Sequence, residues 1–198
     1  IDTTDAPVDP RSTAVRWAQG LGKLYFVDGD SPLHRVDIAS WKSELAIAKQ
    51  EDIDVEGVTP DDMQAQPGAS LIIRIRQRIF LAGFADDPNF VQYSILNSLT
   101  GDADNPSENA GVQYDQFSDI SWFYSPDKSP KDSTCGPITA LEQFDDNLII
   151  FRKDGSSVYS VGSEFSAPSQ ADTFAYNIGV DRQEDVCNMN GNLYLYNK

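Results

Sequence analysis

The sequence predicts an all-β protein of antiparallel β-meander blades, a partial or irregular β-propeller. Three observations predict it. A strand phrase recurs four times: G-x-L-Y-F-V-D-G at 22–29, R-I-F-L-A-G at 78–83, D-N-L-I-I-F-R-K-D-G at 146–155 and G-N-L-Y-L-Y at 191–196. Each copy is a small polar turn followed by β-formers, the mark of stacked or radial β-repeats. Residues 138–161 read as three strands in succession joined by tight turns, the meander from which a propeller blade is built. Between copies the chain is punctuated by Gly, Pro, Asn and Asp turn signals.

Residues 1–12, with Pro7, Pro10 and three Asp, read as an extended lead-in, and 13–17 as a weakly alternating first strand. Gly20 and Gly22 make a turn. Residues 24–27 and 33–38 form a hairpin about Asp28-Gly29-Asp30, because Asp-Gly between two β-rich runs favours a tight turn. Residues 40–50 are the best helical candidate. Trp41, Leu45 and Ala48 lie near helical spacing and Ser40 can cap them, although the stretch is short enough for a loop or a strand.

Residues 51–70 are acidic, carry Pro60 and Pro67, and read as a loop insertion with room for a short strand at 53–55. Residues 71–75 alternate apolar and basic and lead into the strand 78–82. Asp86-Asp87-Pro88-Asn89 turns the chain, and 90–94 returns. Residues 97–111 are a second insertion, rich in Asp and Asn, and 114–124 are the most aromatic stretch. After a loop at 125–133 come strands at 138–144, 148–152 and 157–161, a loop at 163–172, and strands at 174–178, 186–189 and 193–196.

The anchors Leu24, Ile79, Leu148 and Leu193 are separated by 55 (24 to 79), 69 (79 to 148) and 45 (148 to 193) positions. A blade takes about 40–50 residues, so the first two intervals must carry insertions. Residues 1–198 are therefore expected to form one propeller-like region. The chain opens at Ile1 and stops directly after a strand, so it reads as part of something longer.

Composition narrows the function. The 198 residues carry 31 acidic against 15 basic side chains, a net charge of -16. Nucleic-acid binding needs clustered Lys and Arg, so that class is disfavoured. A hydrophobic content of 40% supports a packed core, yet no apolar run approaches the ~20 residues that span a bilayer. Neither Cys135 nor Cys187 sits in a C-x-x-C pair. They read as incidental thiols, or as a single bridge if the protein matures outside a reducing compartment.

Candidate chemistry is sparse. His34 is the only histidine, so a triad would have to use it, and a His-rich zinc site is excluded by count. Its place on the returning arm of a hairpin reads as a surface or edge histidine. Asp102, Asp104, Asn105 and Glu108 space oxygen ligands as a calcium loop does, but the turn glycine is missing and Pro106 stiffens the segment. A solvated loop is the reading adopted. The run Trp122-Phe123-Tyr124 can stack on sugar; in a strand, Phe123 faces away from Trp122 and Tyr124, so one face is core. No phosphate loop is present. The expectation is a non-enzyme with no catalytic residue, no bound metal and no cofactor.

Two stretches resemble a known family. Residues 78–94, R-I-F-L-A-G-F-A-D-D-P-N-F-V-Q-Y-S, are similar to a run in bacteriophage tail proteins of the tail-tube, nozzle or knob type. Pro137-Ile138-Thr139-Ala140-Leu141, then Phe144, Leu148-Ile149-Ile150-Phe151-Arg152 and Tyr159, resemble the phrase that follows it in that family. Residues 185–195 resemble a later one. The resemblance covers about 78–196. It departs at Cys135-Gly136, where the family often has Gly-Asp, and 42–77 has no counterpart. It implies a propeller scaffold in the virion tail or neck, whose loops contact copies of itself and other tail subunits in an oligomeric ring, without catalysis. The alternatives are a carbohydrate-binding or carbohydrate-cleaving propeller that meets a host-surface glycan, and a cell-surface interaction module.

Overall fold

A computed structural model describes residues 14–20, 23–45, 68–76, 78–97, 113–116, 122–124, 136–153, 155–161, 169–176 and 178–196. They form antiparallel strands and one short 3-10 turn, with no α-helix. Three sheets have four strands each. The first is β1 (Arg16–Gly20), β2 (Lys23–Val27), β3 (His34–Asp37) and β4 (Ser43–Leu45), paired in that order. The second holds β5 (Leu71–Ile75), β6 (Arg78–Ala82), β7 (Phe90–Tyr93) and β10 (Trp122–Tyr124). A separate hairpin of β8 (Ile95–Asn97) and β9 (Gln113–Gln116) lies between β7 and β10 in the chain.

The third sheet is β11 (Ile138–Phe144), β12 (Asn147–Arg152), β13 (Gly155–Ser160) and β14 (Ser169–Tyr176). The 3-10 turn Gln183–Asp185 then leads into a two-stranded hairpin, β15 (Val186–Met189) and β16 (Asn192–Leu195).

The first turn of every unit is alike. Gly20 pairs with Lys23, Ile75 with Arg78, Phe144 with Asn147 and Met189 with Asn192, so each opening hairpin has a two-residue loop. Such loops match the twist of their strands when the first residue is left-handed. Arg76, Asp145 and Asn190 adopt φ of 54°, 52° and 54°, and Gly191 follows Asn190 at 74°. The recurring phrase thus marks the second strand of each unit: β2, β6, β12 and β16.

Packing explains why two copies are continuously apolar. Ile79 and Leu81 of β6 join Ala18, Tyr25, Val27 and Leu33 of the first sheet in one cluster. Phe80 and Ala82, on the opposite face, join Leu141, Leu148 and Ile150 of the third sheet. Ile149 and Phe151 of β12 turn the other way, towards Val180 and Val186. The middle sheets are covered on both faces, and alternate side chains serve different interfaces. The outer faces of the end units are less covered among the described residues: Trp17 is 64% exposed, and Met189 and Tyr194 are exposed on the last hairpin, although His34, opposite Phe26 in the first sheet, is buried.

Opening strands pack side by side, β1 against β5, β5 against β11 and β11 against β15. Backbone bonds repeat between neighbours as well. Gly29 N–H donates to Ala69 O (3.0 Å), Ile138 N–H to Pro88 O (3.1 Å) and Val180 N–H to Arg152 O (3.0 Å). Each ties the turn after one unit's second strand to the segment that leads into the next unit. The all-β class and the meander order are as expected from the sequence. The array forms no closed barrel or closed propeller among the described residues.

Several local expectations are corrected. Residues 43–45 of the helical candidate are β4, paired with β3, because three residues along an existing strand edge gain ladder bonds that an isolated short helix lacks; 46–50 lie outside the described residues. The first strand is Arg16–Gly20 rather than 13–17. The loop expected at 163–172 already holds the start of β14 at Ser169. Asn97 ends a strand instead of opening a loop. The short strand at 53–55 and the remainder of 51–67 and 98–111 lie outside the described residues, while 68–70 lead into β5. No helix among the described residues is long and apolar enough to cross a membrane.

Candidate functional site

The opening strands meet at a hub, and a funnel of about 270 Å³ opens there. Its lining comes from three sheets and the 3-10 turn: Arg16 and Trp17 of β1, Ile72 and Ile73 of β5, Glu142 of β11, and Gln183 and Glu184. The strand geometry places them. Arg16 starts β1, on the face that looks towards β5, and its Nη1 donates to Ser70 O at 2.9 Å. Its Nη2 donates to Glu184 Oε1 at 2.7 Å.

Gln183 sits at the exposed edge of β11 and completes it. Leu141 N–H donates to Gln183 Oε1 at 2.9 Å, and Gln183 Nε2 donates to Leu141 O at 2.8 Å. The side-chain amide therefore satisfies the pair of backbone groups that a neighbouring strand would have taken. Beside it, Glu142 is half-buried. Burial raises its carboxyl above the ordinary carboxylate range, against the opposing pull of the Gln143 N–H that donates to Oε1 at 2.9 Å. Glu184 is held below its ordinary range, first by its own backbone N–H and then by Arg16.

His34 is not a surface histidine: it is 3% exposed. Its ring stacks on Phe26, with centroids 5.2 Å apart. Burial lowers its pKa, although the charge of Asp28 pulls the other way, so the ring is held neutral. Asp28 accepts from the N–H groups of Asp30 (3.0 Å) and Ser31 (2.7 Å) at Oδ1, and from the Ser31 hydroxyl at Oδ2 (2.9 Å). A nucleophilic triad needs its hydroxyl on the imidazole and its carboxylate behind the imidazole. Here the hydroxyl is bonded to the carboxylate, and the constellation is a turn cap.

Of the other sequence candidates, Phe123 and Cys187 do not line the funnel. Phe123 is half-buried against Tyr93, with ring centroids 6.3 Å apart, the core face expected of the aromatic run. The side chains of Trp122 and Tyr124 lie outside the described residues, as do the whole of 98–112 with its Asp102–Glu108 loop and Cys135. Cys187 is an exposed free thiol on β15. Among the described residues no three His, Cys, Asp or Glu side chains group as metal ligands would. The sequence carried no signal for the funnel, because its polar residues are single positions on different units. Comparison with protein-family models and with curated protein sequences finds no match to this chain.

Proposed function

We propose that this protein is a structural component of a phage tail or neck, built into an oligomeric ring. The observation that carries the reading is that, among the described residues, the two end units of the array present different outer faces. Each of the first three units has four strands, while β15–β16 has two and exposes Met189 and Tyr194. At the other end, the outer face of the first sheet presents half-buried Leu24 and Phe26. Two different faces at the two ends of one array favour head-to-tail contact, and a head-to-tail contact closes into a ring when its rotation divides a full turn. The occupant of the last hairpin's open face is, in this reading, the first sheet of a neighbouring copy.

The resemblance to tail proteins supports it. The residues of that resemblance are spent on scaffold: Arg78 lies over the Tyr93 ring at 5.5 Å, and buried Ser94 exchanges bonds with Ile79. These contacts join β6 to β7 within the second sheet. Light scattering of the purified chain, with imaging of the particles, tests the reading. A symmetric ring that Tyr194→Lys dissociates is the expected result. A strict monomer at high concentration, absent from virions, ends it.

A further inference from the structure

We infer that the hub funnel binds a single alkyl cation, an ammonium or guanidinium group on a short aliphatic stem, with Glu142 as its counter-charge. The inference is independent of the ring reading, since it concerns the hub of one chain.

Most of the funnel's polar groups are already matched. Arg16 and Glu184 neutralise each other at 2.7 Å, and Arg16 also bonds Ser70 O. Gln183 is committed at both ends of its amide to Leu141. Among the described residues, Glu142 is the funnel carboxylate with no cation bonded to it; its bonded neighbour is a backbone N–H. A carboxylate partly withdrawn from water without a counter-ion favours the arrival of one.

Stem and size follow from the remaining walls. Ile72 and Ile73 supply apolar surface to the funnel. The volume of about 270 Å³ falls below the ~300–1,000 Å³ of sites for drug-sized ligands, so one side-chain-sized group fits. An anion is disfavoured. The Arg16 Nε is without a partner but sealed from solvent, so a ligand in the funnel cannot reach it. The chain's net charge of -16 concentrates cations around the mouth.

The test titrates n-butylguanidinium and n-butylammonium chloride into the full chain at constant ionic strength, following the amide resonances of Glu142 and Gln143. Neutral butyramide is the control. Saturable binding near about 1 mM is expected for the cations, with none for the amide. Glu142→Gln should weaken binding at least ~10-fold, the loss of one charge-assisted contact, while Glu184→Gln changes it less than ~3-fold. Glu142→Asp, with a shorter reach, serves if the Gln variant fails to fold, and should weaken binding by an intermediate factor. Binding should also fade as acid protonates Glu142, with Arg16 and Glu184 the other charged groups that face it. A peptide bearing one arginine, run beside the free cation, separates the sources: tighter binding of the peptide marks a partner's side chain, equal binding a free amine or guanidine. Failure to saturate, equal binding of butyramide, or unchanged binding by the Glu142 variants overturns the inference.

Discussion

The guanidinium of Arg16 meets the carboxylate of Glu184 at 2.7 Å, although the two residues stand 168 positions apart. The contact joins the first strand of the array to the turn before its last hairpin. It ties the ends of the array together at the hub.

Arg16→Met should cost about 1–2 kcal/mol in urea unfolding, because Ser70 O and Glu184 both lose a donor. Glu184→Gln should cost less than ~1 kcal/mol, since that side chain is 58% exposed and water replaces the lost partner. Equal costs for the two variants would show that the bond to Ser70 O adds nothing to the pair with Glu184.

Arg152 is 2% exposed, and its Nη1 bonds Asn89 Oδ1 at 2.6 Å and also Gly136 O. It thereby links the β6–β7 turn to the lead-in of β11. Arg152→Met should cost about 1–3 kcal/mol by removing the donor of two half-buried acceptors. Chemical denaturation measures it; a loss below ~0.5 kcal/mol would mean that these acceptors find water instead.

Gly179 has no room for a side chain. A Cβ there would overlap the carbonyl oxygens of Arg152 and Lys153, which are backbone and cannot rotate away. Gly179→Ala should break the bond from Val180 N–H to Arg152 O and cost about 1–3 kcal/mol. Hydrogen exchange at Val186–Met189 should quicken while the first sheet stays protected. Uniform loss of protection would show instead that the hairpin does not open separately.

His34 and Asp28 set two acid limits. The folded pKa of His34 lies below the ordinary 6.5, so the unfolded chain takes up the proton first as pH falls, and stability declines from about that pH downward. For Asp28, burial opposes ionisation, but the N–H groups of Ser31 and Asp30 and the Ser31 hydroxyl together outweigh it and lower the pKa below 3.8. Its stabilisation is present above that value and is lost as pH falls through the depressed folded pKa. Urea midpoints measured from pH 7.5 to 4.5 should fall, and His34→Gln should flatten the slope. An unchanged slope would reassign it to other groups.

Strands were readable where burial was two-sided. Leu148-Ile149-Ile150-Phe151 and Ile79-Phe80-Leu81-Ala82 are continuous apolar runs because each serves two interfaces at once. Residues 43–45 were misread as part of a helix: three residues carry too little periodicity to exclude one, and the partner strand decided the matter. The β8–β9 hairpin was missed for a related reason, since its arms are short and fall at a polar segment. His34 looked like an edge residue because a hairpin arm offers two faces, and only the packing of Phe26 and Asp28 around it selects the buried one.

By itself the sequence determined the β class, the Asp28-Gly29 hairpin turn and the second strand of each unit, because alternation, Asp-Gly dipeptides and β-branched runs act over a few residues. The two-residue loops at Arg76, Asp145 and Asn190 belong to the same local physics. The tertiary structure alone decided which sheets face one another, and that Arg16, Glu142, Gln183 and Glu184 share a funnel. Those residues come from distant positions, and nothing in a local pattern encodes which opening strand packs against which. That choice is made by the burial of whole sheet faces, a property that exists only after the sheets have formed.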